Sequence, residues 1–93
     1  MLHDSIQRIH ELTKLDQIIW EYDSDNVYLA TYRGKVLRLN CSREFPYFII
    51  ATAEFRLSRE LADELCREIG NQWGRLRKKR REDELEELSR LLQ

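Results

Sequence analysis

Apolar residues at Leu2, Ile6, Ile9 and Leu12 recur every three or four positions, with Arg8, Glu11 and Lys14 on the opposite side. That spacing predicts an amphipathic helix over Ser5–Lys14, opened by Asp4 with Gln7 three residues on in a capping-box arrangement. The period then changes. Gln17–Tyr22, Val27–Tyr32 and Val36–Cys41 alternate or concentrate β-branched and aromatic residues, the pattern of strands. Asp23-Ser24-Asp25-Asn26 and Arg33-Gly34-Lys35 separate them as turns. The first uses side chains that bond their own backbone, and the second uses positive φ at Gly34. Pro46 suits the start of a fourth strand, Tyr47–Ala53, where its missing donor is tolerated. Ile49 and Ile50 are adjacent there, so both faces of that strand carry apolar groups, as in a strand that is central or covered on both sides.

A second helix is expected from Ser58, which reads as its N-cap, with Glu60, Asp63 and Glu64 complementing the dipole in the first turns. Leu61, Leu65, Ile69, Trp73 and Leu76 form one stripe. Gly70-Asn71 is a candidate terminus, but the stripe keeps its phase beyond it, so a continuous helix is expected. Arg77 to Glu84 contains no apolar residue. Leu85, Leu88, Leu91 and Leu92 then resume on the other side, because Leu85 lies nine residues after Leu76 at about 100° per residue. The expected class is α+β, in the order α-β-β-β-β-α, with an antiparallel meander and a long charged C-terminal helix. Residues 1–76 would form the compact body of a single small domain, and 77–93 a projecting charged tail.

Charged residues make up 35% of the chain, well above the usual quarter, and apolar residues 42%. The excess suits a long solvated helix. Net charge is only −1, so global electrostatics favour neither nucleic acid nor membrane. No apolar run approaches the 20 or so residues that span a bilayer, and none follows a basic start as a secretory signal would. Cys41 and Cys66 are too few for a disulfide scaffold, so the expectation is a cytoplasmic protein with both thiols reduced.

Charge in the last third is sorted into blocks: Arg75, Arg77, Lys78, Lys79, Arg80 and Arg81, then Glu82, Asp83, Glu84, Glu86 and Glu87. The basic block is a candidate contact for a phosphate backbone or an acidic partner, although the acids beside it would repel nucleic acid. Lys78–Glu82, Lys79–Asp83 and Arg80–Glu84 are also spaced for solvating i,i+4 pairs. In an antiparallel pair of these helices centred near Arg81–Glu82, each basic stretch would lie beside an acidic one. Leu85, Leu88 and Leu92 would then cover apolar surface on the other chain, an isologous contact.

Signs of catalysis are weak. Cys41, Cys66, His3 and His10 fall in no metal-ligand spacing, nothing local activates either thiol, and three glycines supply no phosphate-binding loop. Asp23 and Asp25 are explained by turn chemistry. No metal, cofactor or enzymatic activity is expected. Aromatic residues concentrate in the meander without the signature of an RNA-binding sheet. Tyr28 and Tyr32, on one side of one strand, are the candidates for an exposed protein-binding face. The functional expectation is a small non-enzymatic interaction, adaptor or regulatory module that homodimerises and binds another protein through its sheet or projecting helix. The alternative is a nucleic-acid-binding accessory protein that uses Arg75–Arg81.

Overall fold

A computed structural model describes residues 2–42 and 44–93, with side chains from Asp4 onward. The expectations for the side chains of Leu2 and His3 lie outside the described residues. The elements are α1 (Leu2–Lys14), β1 (Glu21–Ser24), β2 (Val27–Tyr32), β3 (Lys35–Asn40), β4 (Tyr47–Ile50), β5 (Ala53–Arg56) and α2 (Arg59–Leu91). The strands form one antiparallel sheet in the order β1-β2-β3-β4-β5, each paired with its sequence neighbour. The α+β class and the meander therefore hold, with one strand more than expected.

α1 begins at Leu2, so Asp4 sits inside its first turn instead of capping it. Its other end is closed by a Schellman arrangement. Gln17 N donates to Leu12 O at 2.8 Å and Asp16 N to Thr13 O at 3.0 Å, with Asp16 at φ 58° in the position glycine usually takes. That closure leads into a segment expected to be strand. Ile18 and Trp20 are buried, but their backbone bonds to α1 and α2, and β1 starts only at Glu21.

Arg33 and Gly34 both take positive φ, 49° and 77°, the geometry a two-residue hairpin needs to match strand twist. The expected fourth strand folds in two at Ala51-Thr52. Ala51 takes φ 55° and donates its N–H to Val36 O at 2.9 Å, and Ile50 pairs with Ala53 across the turn. No glycine or asparagine marks that reversal, which is why alternation alone reads through it.

Registry puts Tyr28, Ala30, Leu37, Leu39, Phe48, Ile50 and Phe55 on one face of the sheet. α1 and the first half of α2 cover that face. Ile6, Leu12, Ile18, Trp20, Leu37, Leu39, Phe48, Leu57, Leu65 and Ile69 form a single core between the layers. Ser58 caps α2 as expected, its Oγ accepting from Leu61 N at 3.2 Å. α2 then runs unbroken through Gly70 for 33 residues, about 50 Å at 1.5 Å per residue. It sets the longest dimension of the molecule, 54 × 27 × 21 Å.

Candidate functional site

The body-facing stripe of α2 contains Ala62, Leu65, Ile69, Gln72, Trp73 and Leu76. Gln72 is fully buried, and its side chain holds the α1–β1 segment. Its Oε1 accepts from Trp20 N at 3.0 Å, while Nε2 donates to Thr13 O at 3.1 Å and Ile18 O at 2.6 Å. Trp73 Nε1 donates to Trp20 O at 2.9 Å, and Trp20 Nε1 to Thr13 Oγ1 at 2.9 Å. Among the described residues no buried side-chain polar atom lacks a partner.

Arg75 completes this lock, which separates it from the rest of the basic block. Its Nη2 donates to Asp16 Oδ1 at 2.9 Å and to the Thr13 and Lys14 carbonyls, both at 3.2 Å, and its Nη1 to Glu68 Oε1 at 3.2 Å. The bond to Asp16, joined by the one to Glu68, raises the guanidinium pKa above its ordinary value. Arg75 thus ties α1's last turn to α2, and its donors are taken up by these partners.

Beyond Leu76 the helix leaves the body. Arg77, Lys78, Lys79, Arg80 and Arg81 are all exposed, as are the acids after them. Among the described residues no ion pair joins the two blocks; the tail's pair is Arg90 with Glu86 at 3.2 Å. Leu85 is 65% exposed, Leu88 50%, Leu91 77% and Leu92 78%. At about 100° per residue, Leu85, Leu88 and Leu92 point between roughly 100° and 160° away from Ile69 around the helix axis. Gly70, Gly74 and Arg81 fall in the same sector. This outward face carries the leucines and never meets the chain's own sheet.

Tyr28 and Tyr32 do not form an exposed face. Both are half-buried against the core on the helix-covered side, with the Tyr28 ring edge-on to Trp73 at 5.4 Å between centroids. Registry explains it: Tyr28 and Ala30 pair with Leu39 and Leu37, the buried residues of β3. The uncovered face carries Leu29, Thr31, Val36, Arg38, Tyr47, Ile49, Glu54 and Arg56. Ile19, Glu21, Leu29, Thr31 and Val36 line a shallow groove there, with Ile19 44% and Val36 51% exposed. At the opposite edge of the sheet, on β5, the Arg56 guanidinium lies 5.4 Å from the Phe45 ring centre. Sequence reasoning missed this face because it chose the tyrosines by residue type; the alternation of Val36 and Arg38 against Leu37 and Leu39 already held the signal.

The expectation of two reduced thiols is also corrected, since Cys41 and Cys66 form a disulfide. Cys41 follows β3 and Cys66 lies on the sheet side of α2, so packing brings together residues 25 apart in sequence. A count of cysteines contains no such proximity. Both sulfurs are consumed in the bond, leaving neither as thiolate nucleophile or ligand in this form. His10 instead neighbours Glu68, Nε2 to Oε2 at 3.9 Å. Among the described residues no group of three or more His, Cys, Asp or Glu is placed to hold a metal, and no helix is long and apolar enough to cross a membrane. Comparison with protein-family models, curated proteins and solved structures finds no match.

Proposed function

We propose that this protein is a non-enzymatic interaction module that self-associates through the outward face of α2 and offers its uncovered sheet face to another protein. One observation carries the reading: Leu85, Leu88 and Leu92 stay at least half exposed on a helix that has left its own body. Burying a leucine side chain is worth about 1.5–3 kcal/mol. A second copy supplies the missing surface and also charge of the opposite sign beside each block, as an isologous contact requires.

Light scattering at low and high salt, on the full chain and on one truncated after Leu76, tests it. The expected result is a full-length dimer that becomes a monomer on truncation. A monomer in both cases removes the reading. Salt-sensitive retention on DNA or RNA, lost when Arg77–Arg81 are replaced by alanine, would transfer the basic block to nucleic acid.

A further inference from the structure

The interior of α2 contains two glycines whose presence its own fold does not explain. Neither Gly70 nor Gly74 is at positive φ, and a Cβ added at either would meet nothing within 4 Å. Each nevertheless costs the helix about 1 kcal/mol relative to alanine. Both lie on the outward face that carries Leu85, Leu88 and Leu92.

Their positions mirror the leucines. Arg81 is seven residues after Gly74 and seven before Leu88; it is eleven after Gly70 and eleven before Leu92. Resting on the self-association proposed above, we infer that two copies of α2 pair antiparallel about a two-fold axis at Arg81, with Leu88 and Leu92 of each copy seated over Gly74 and Gly70 of the other. The absent side chains leave two notches, and the leucines are the groups that this axis brings to them.

The same axis matches the charges bordering the leucine face. Arg77 and Glu84 lie along one border, and the axis sets Arg77 of one copy beside Glu84 of the other. Lys78 and Glu82 lie along the other border and meet likewise. Leu85 falls opposite Arg77, whose aliphatic stem covers it while the guanidinium reaches outward. A parallel pair would instead set like blocks side by side, which is repulsive. Opposite charges meet along both borders, with Arg81 alone facing its own copy on the axis; the borders therefore select the antiparallel arrangement, and the notches locate its register to within a residue.

The test is to fill the notches. In the full chain, Gly70→Gln with Gly74→Gln should weaken dimerisation at least tenfold by sedimentation equilibrium, because each side chain occupies the seat of a leucine. The melting temperature of the dilute monomer should stay the same or rise. Unchanged or tighter dimerisation would overturn the register while leaving self-association intact; a wild-type chain that stays monomeric would overturn both. Spin labels at Arg81→Cys and Ser89→Cys supply the second readout. Across the dimer the labels at position 81 should lie close together. Those at 89 should be roughly 25 Å apart, from eight residues of rise on each side of the axis. Short distances at both positions would mean parallel pairing and would contradict the inference.

Discussion

Gln72 shows how one side chain can order a segment that has no regular structure of its own. It is a polar residue at 0% exposure on an apolar stripe, tolerated because its donors and acceptor all find backbone partners in residues 13–20. Gln72→Leu keeps the volume but strands the Trp20 N–H and removes the donor from Ile18 O. Urea unfolding should show a loss of about 3 kcal/mol, more than a surface substitution produces. Ala51 presents the opposite case, a residue with a Cβ held at φ 55° in a hairpin turn. Ala51→Gly should raise stability by roughly 0.5–1 kcal/mol in the same assay by relieving the left-handed conformation. Tyr22 donates its hydroxyl to Asp25 at 2.9 Å, and that bond raises its pKa above the ordinary 10. The neutral phenol is thus favoured by folding. Its small contribution is complete below the unfolded value and lost as pH rises through the folded one. An NMR titration of the Tyr22 ring should show a raised midpoint that falls in Asp25→Asn.

At the scale of elements, the disulfide joins the end of the third strand to the second helix and closes a loop across the sheet–helix boundary. Loop-closure entropy for a separation of 25 residues gives about 3.5 kcal/mol, so Cys41→Ser with Cys66→Ser should unfold at correspondingly lower denaturant. Both helices and three of the strand regions were legible because their apolar spacing is long and their burial one-sided. Ser58 and the unbroken stripe through Gly70 show local signals agreeing with packing. The misses share a cause. Asp16 ends α1 and Ala51 turns β4 into β5 with left-handed residues that are not glycine, so both reversals are set by tertiary hydrogen bonds that no local pattern announces. Arg75 belongs by sequence to a basic run, yet its partners Asp16 and Glu68 come from a distant loop and the preceding turns of its own helix. The leucine face could be read directly from helical phase, and the uncovered sheet face from the alternation in β3; which side Tyr28 and Tyr32 take needed the strand registry.

The whole molecule is a small two-layer body with a rod attached. Its radius of gyration is 15.8 Å, against about 12 Å for a compact domain of this length. The excess comes from the half of α2 that packs on nothing in its own chain. A solvated helix of about 15 residues is marginal by itself, since helices draw most of their stability from a covered apolar face. Under the proposed self-association, the order of the rod depends on a second copy, while that of the body does not. Amide hydrogen exchange across residues 77–91, followed over a range of protein concentrations, tests this most directly. Protection in that segment should rise with concentration while the core of the body, around Leu39, Phe48 and Leu65, stays unchanged. Weak protection in the rod at every concentration, with a monomeric mass throughout, would contradict it.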